Sequence, residues 1–392
     1  MTDKITSISQ FNGAMLVEAR TARGLSQSQL AEISGVTKQS ISNYENNKQA
    51  PRATALDKLS GCLNIPLAFL YTENALIENA PIYFRSLASL HKKERNRAQI
   101  KLSWLARLLD CYDEYLELPA PNIPEELDIS SRYQLVSDEE IEEIALSCRR
   151  AFNIGDGPIS NMTMLMENNG VIVVEMPLEV KAEDAFSRWV LNSQIPAAVL
   201  VSTKPSACRD RFSLAHELGH LVMHRKVHPT NENLKEIEKQ ANRFASSFLL
   251  PAHSYVRDFG YPSLDVFKLL KEKWKVSIQA QIIRCWQLGL ISDDSKRNFF
   301  INISKRKWRL KEPLDDIIPV EHPKILREST KLLCTEGGLT FDEISYKTQL
   351  SPDDIAQLTC VPKETIPLQV QKPKLKTVKP QNKVINFPKH KT

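Results

Sequence analysis

The sequence predicts a multidomain, mainly helical chain of the α+β class, and three observations predict it. Residues 7 to about 70 carry helical patterning broken by short turn signals, with no strand pattern. Two short valine-rich runs, VIVVEMP from Val171 and AAVLV from Ala197, follow Gly170 and Pro196 as buried strands do. Helical patterning then returns, at Phe212–His224, at 233–250 and again over 263–290 and 322–359. A chain of 392 residues is long for one domain, and its 42% hydrophobic and 25% charged residues suffice for soluble cores without disulfides.

Five segments follow in order. Residues 1–72 form a helical module, and 73–130 a helical connector that ends in the proline-rich PAPNIPEE. Residues 131–260 form an α+β domain with a small sheet. It opens on the helix SDEEIEEIALSCRRAFNI, with Ser137 as N-cap and acids in the first turn. Residues 261–360 form a helical C-terminal region, and 361–392 a disordered tail. No internal repeat is evident.

Charge and cysteine usage narrow the function classes. The net charge is +5, yet Gln371–Thr392 alone holds seven lysines and no acid, which leaves the rest near −2. Nucleic-acid binding therefore needs a local face or the tail, not a generally basic body. The seven cysteines are scattered with no CxxC pair, as reduced thiols are. Cys208 lies eight residues before His216 and reads as a buried bystander. No apolar run approaches a membrane span, and the first residues lack a signal-peptide pattern, so a cytoplasmic protein is expected.

Within GLSQSQLAEISGVTKQSISNYENNKQAP, Leu25, Leu30, Ile33, Val36, Ile41 and Tyr44 are placed to line one interior. Ser26 can cap a helix over Gln27–Ser34, Gly35 can make the turn, and Thr37 can cap a second helix from Lys38 to about Asn46. That pattern is a helix-turn-helix, whose second helix offers its first residues to the major groove. Lys38, Gln39, Ser40 and Asn43 are the side chains so offered, with Thr37 at the cap. Gln27 suits a phosphate or a brace on Gln39.

In FSLAHELGHLVMH, His216 and His220 share one helical face, and Glu217 stands beside it. Two imidazoles so spaced can ligate Zn2+, with Glu217 as general base toward a water. Gly219 in mid-helix costs about 1 kcal/mol against alanine, a cost understandable where backbone or substrate passes close. A catalytic zinc takes three protein ligands. The longer histidine motif needs glycine at position 223 and histidine at 226, but the chain has Met223 and Lys226. Three candidates remain for the third ligand: His224, His228 and a downstream carboxylate. His224 lies one more turn along the helix, too far for the same ion, and His228 precedes Pro229 as a rim residue. In EIEKQANRFASSFLLP, Glu238 lies on the side of small residues that permits close helix packing, and Glu236 is the competing, solvent-facing acid.

LSQSQLAEISGVTKQSISNYENNKQAPR resembles the Xre/Cro repressor-like family, which implies a five-helix DNA-binding domain, often dimeric on a palindromic operator. RFSLAHELGHLVMH followed by EKQANRFASSFLLP resembles the ImmA/IrrE-type metallopeptidases. That resemblance implies His216, His220 and Glu238 as ligands of one Zn2+ and Glu217 as general base. Arg209, Arg211 and His224 are candidates for a further electrophile, and Asn242, with His224 and Arg211, for support around the ligands. Together the two resemblances cover roughly two thirds of the chain, and the combination is familiar among bacterial regulators and mobile elements. They imply a DNA-binding transcriptional regulator carrying a zinc endopeptidase that cuts a repressor or other regulatory protein. The alternative is a transcription factor whose zinc domain only senses or stabilises.

Overall fold

The computed structural model describes residues 10–72, 83–84, 92–130, 136–176, 184–190, 194–201, 206–227, 230 and 232–361. His228 and the tail beyond 361 lie outside them. Helix α1 (Gly13–Ala22) starts at Asn12, whose side chain accepts from the Ala14 amide. Helix α2 (Gln27–Ser34) begins in a capping box. The Ser26 hydroxyl accepts from the Gln29 amide, and the Gln29 side chain accepts from the Ser26 amide. Gly35 then turns the chain at φ 66°, in the left-handed region that glycine enters without a Cβ penalty. Thr37 caps α3 (Lys38–Glu45), and α4 (Ala53–Leu63) precedes a 3-10 turn at Leu67–Tyr71. The expected five helices are thus four α-helices and this turn. Met15, Leu30, Ile41, Leu59 and Phe69 are fully buried between them, whereas Ile33, expected inside, is 51% exposed.

Contacts divide the chain into two units, and the first is discontinuous in sequence: Met1–Asn79, Leu87–Leu118 and Leu326–Pro388. Helix α5 (Lys92–Asp113) packs along α1, and the Trp104 indole donates to Glu18 Oε1 at 2.8 Å. The connector and the C-terminal region thereby contribute helices to the same unit as α1–α4.

The second unit comprises Ala80–Ser86, Pro119–Ile325 and Lys389–Thr392. Its sheet runs β1 (Tyr83–Phe84), β3 (Asp184–Val190), β4 (Ile195–Val201), β2 (Ile172–Glu175) from one edge to the other. β2 and β4 are parallel, and the other pairs are antiparallel. The two valine-rich runs are β2 and β4. Strand β3, DAFSRWV, lacked a clear apolar run to mark it, and it turns Ala185, Ser187 and Trp189 toward one face by the two-residue period. Helices α6 (Asp138–Ala151), α7 (Met162–Asn168), α8 (Ala207–Met223) and α9 (Leu234–Leu249) pack together with the sheet. Helices α10 (Ala252–Asp258), α11 (Leu264–Trp274), α12 (Ile278–Gln287) and α13 (Asp293–Lys305) complete the core around Phe248, Tyr255, Phe267 and Trp274.

Buried ion networks tie distant segments of this unit together. Glu142 on α6 receives Arg284 of α12 and, at 2.7 Å, Arg243 of α9, while the Arg284 Nε–H donates to the Leu250 carbonyl at 2.9 Å. Among the described residues no helix is long and apolar enough to cross a membrane.

Candidate metal centre and nucleic-acid interface

Helix α8 carries His216, Glu217 and His220, all fully buried, and α9 packs against it to bring up Glu238. The close approach of the two helices depends on Gly219. A Cβ built there would stand 3.0 Å from Cδ1 and 3.2 Å from Cγ of Phe244, whose ring is itself fully buried. The neighbour that passes close to Gly219 is therefore α9. Gly219→Val is expected to lower unfolding stability by about 1–3 kcal/mol through overpacking, read by denaturant titration.

His216 Nε2 and His220 Nε2 lie 3.1 Å apart. Glu238 Oε2 is 3.3 Å from His216 Nε2, and Glu238 Oε1 is 3.4 Å from His220 Nε2. A tetrahedral ion with bonds of about 2.0–2.2 Å spaces its ligands roughly 3.3–3.6 Å apart, so two imidazoles and a carboxylate at these separations fit zinc. Burial opposes ionisation of Glu238, but the His216 and His220 rings beside it outweigh that and hold the carboxyl far below its usual range. Glu236 stays on the outer face, 3.9 Å from Lys239, away from this cluster.

The surroundings sort the remaining candidates. His224 Nδ1 lies 3.2 Å from His220 Nδ1, and its Nε2 is 2.9 Å from Gln240 Oε1, so Gln240, His224 and His220 form one chain. Such contacts fix the ring orientation of a ligand histidine. Burial, then the adjacent His220, pushes the His224 ring down to about 3, so it is neutral near pH 7. Asn242 donates to the Glu238 backbone carbonyl at 2.7 Å and does not reach the carboxylate. Arg211 needs correction. Its guanidinium is bound to Glu321 and to the Ile159 carbonyl, where Glu321 also accepts from the first amides of α7. It therefore faces a structural joint and not the metal-ligand cluster.

Glu217 Oε2 accepts from the Ser187 hydroxyl of β3 at 2.7 Å, a partner the sequence did not suggest. A cavity of about 400 Å³ is lined by His216 and Glu217 together with Ala185, Arg209, Phe212 and Arg309. Cys208 also borders it, but burial pushes its thiol up to about 11, so it stays protonated.

In the first unit, Lys38 and Gln39 are exposed at the start of α3, with Ser40 and Asn43 partly so. The Thr37 hydroxyl accepts from the Ser40 amide and stands 2.8 Å from the Ser40 hydroxyl, so both serve the helix start. Gln39 donates to Asn43 Oδ1 at 3.2 Å, an arrangement that aligns two amides on the outer face. Gln27 does not brace Gln39. It donates to Glu45 Oε2 at 2.7 Å, beside the Arg20–Glu45 pair.

Residues 16–70 match a family model described as helix-turn-helix, and residues 166–285 match a peptidase model described as IrrE N-terminal-like domain. The chain is also similar to an SPbeta prophage-derived uncharacterised HTH-type transcriptional regulator, YonR, of Bacillus subtilis (strain 168). The two are 38% identical over 58 residues, 15% of this chain and 54% of that protein, so the chain spans about half the length of the curated relative it matches. With the capped α2–turn–α3 pair in one unit and the α8–α9 cluster in the other, the chain joins a helix-turn-helix domain to an IrrE N-terminal-like, peptidase-type domain.

Proposed function

We propose that this chain is a DNA-binding regulator whose second unit is a zinc-dependent endopeptidase, which cuts a repressor or other regulatory protein and so relieves repression. The observation that carries the reading is the convergence of His216, His220 and Glu238, with Glu217 lining the same cavity. His216 Nε2, His220 Nε2 and Glu238 would hold the ion. Zinc supplies a Lewis acid and lowers the pKa of water toward neutrality. Glu217 takes the proton of the attacking water and delivers it to the leaving amine. The Ser187 hydroxyl keeps the Glu217 carboxylate in position, and the Gln240–His224 chain keeps the His220 ring in orientation.

The first unit places α3 on operator DNA, as one half of a homodimer on a palindrome. Lys38→Ala is expected to reduce the slope of log affinity against log salt by about one, as loss of one phosphate contact does. Gln39→Ala is expected to cost about 1–3 kcal/mol at one base position and to relax preference there. A cytoplasmic setting fits the seven free cysteines.

The decisive experiment incubates the full chain with Zn2+ and regulatory proteins encoded beside it, with and without chelator. Metal-dependent cleavage of one of them is expected. A chain that binds Zn2+ while its target genes respond identically in the Glu217→Gln variant is instead a transcription factor with a sensing or structural zinc module.

A further inference from the structure

Helices α14 (Ile325–Thr335), α15 (Phe341–Thr348) and α16 (Pro352–Thr359) repeat the local geometry of α1–α3 at a constant offset of 314 residues, Ser26 matching Thr340 and Thr37 matching Ser351. Gly24–Leu25 returns as Gly338–Leu339, with glycine φ of 65° and 69°. The α2 capping box returns at α15. The Thr340 hydroxyl accepts from the Glu343 amide, and the Glu343 side chain accepts from the Thr340 amide at 2.8 Å. Both first helices have eight residues and end on a left-handed residue, Gly35 at φ 66° or Gln349 at φ 57°.

The turns agree atom by atom. Ser34 Oγ donates to the Leu30 carbonyl at 2.6 Å and accepts from the Val36 amide at 3.3 Å. Thr348 Oγ1 donates to the Ile344 carbonyl at 2.8 Å and accepts from the Leu350 amide at 3.3 Å. Thr37 and Ser351 then cap second helices of eight residues each. The buried positions correspond too, Leu30 with Ile344, Ile41 with Ile355 and Tyr44 with Leu358.

The outward chemistry does not correspond. Where α3 presents Lys38, Gln39, Ser40 and Asn43, α16 carries Pro352, Asp353, Asp354 and Gln357. Two aspartates at the head of a reading helix repel phosphate. These side chains are turned instead onto the same unit. Asn64, which ends α4, donates to Asp353 at 2.7 Å. Arg23, which ends α1, holds both oxygens of Asp354 at 2.7 Å. Lys101 of α5 donates to Asp354 at 2.8 Å and to Gln357 at 3.0 Å. Arg23 also donates to the Leu63 and Asn64 carbonyls, so one guanidinium links α1, α4 and α16. Burial works against the charge on Asp354, yet Arg23 and Lys101 hold its carboxyl below the usual range.

We infer that residues 325–360 are a second helix-turn-helix, a divergent copy of the first, whose reading face has become a protein-docking surface that grips the seam of α1, α4 and α5 and braces the DNA-binding helices. Its partner is this chain's own N-terminal domain, and it makes no contact with DNA. The inference is independent of peptidase activity.

The test uses the full chain, with duplex DNA selected for binding to it and salt-dependent affinity as one readout. Asp353→Ala and Gln357→Ala are expected to leave the salt slope and the footprint unchanged, in contrast to Lys38→Ala. The second readout is hydrogen exchange. Asp354→Ala, or the milder Asp354→Asn, is expected to raise exchange in α16 and equally in the ends of α1 and α4. A shortened footprint in Gln357→Ala would mean that α16 reads DNA, which overturns the inference. So would faster exchange confined to α16, because a brace must transmit its loss to what it braces.

Discussion

Glu217→Gln is expected to retain the metal while slowing peptide hydrolysis by about 10²–10⁴-fold, the usual share of a general acid–base group. The substitution is nearly isosteric, and the Ser187 hydroxyl at 2.7 Å can still donate to the amide oxygen, so α8 keeps its place against β3. The atoms of His216, His220 and Glu238 proposed to hold the ion are untouched. What disappears is a group able to take a proton from water. Metal content by elemental analysis and single-turnover cleavage of whichever protein the Zn2+ incubation shows to be cut separate the two effects. Loss of metal along with activity would mean that Glu217 acts through the ligand set, and the assignment as base would be wrong.

Lys271→Met is expected to cost the second unit about 3–5 kcal/mol, the range for breaking a buried ion pair from one side. Lys271 is fully buried on α11, 2.8 Å from Glu312 and 2.5 Å from Asp315. Methionine fills the volume but strands two carboxylates. Glu312 has a second duty, accepting from the Ile278 and Gln279 amides at the start of α12. Burial opposes charge on Lys271, but Asp315 and Glu312 raise its pKa above the ordinary 10.5. With the folded value raised, this stabilisation is fully present below the unfolded value of 10.5 and is lost only as pH rises through the higher folded value. Denaturant unfolding at pH 7 measures the loss. Adding Glu312→Gln and Asp315→Asn should recover part of it, since the stranded charges go with them. Glu312 and Asp315 also line the cavity beside Glu217, so Lys271→Met should raise the KM for a protein substrate more than it lowers kcat.

Legibility followed the range of the interactions. Ser26, Gly35 and Thr37 act within four residues of themselves, so the limits of α2 and the start of α3 could be read directly. The placing of His216 and His220 on one face needs only the helical period. Glu238 required more, the judgement that small residues on α9 let it approach α8. Phe244 against Gly219 is the contact that realises this approach. Ser187 was missed because its partner Glu217 lies thirty residues away across a strand with no marked apolar run. Arg211 resembled an electrophile by its nearness to the motif in the chain. The helix turns it instead toward Ile159 and Glu321.

The second helix-turn-helix shows the same division. Identity between the two copies is confined to Thr335, Gly338, Leu339 and Ile355, so one-letter comparison conceals the repeat. Capping box, left-handed turn and hydroxyl bridge survive because different residues can make the same hydrogen bonds. Elements, caps and the spacing of metal-ligand types follow from local backbone physics, which each short segment carries within itself. Which distant segments share a unit, which carboxylate meets which cation, and which reading face turns from DNA to protein depend on burial. A buried charge must find its partner wherever the folded chain brings one, and only the tertiary structure decides where that is.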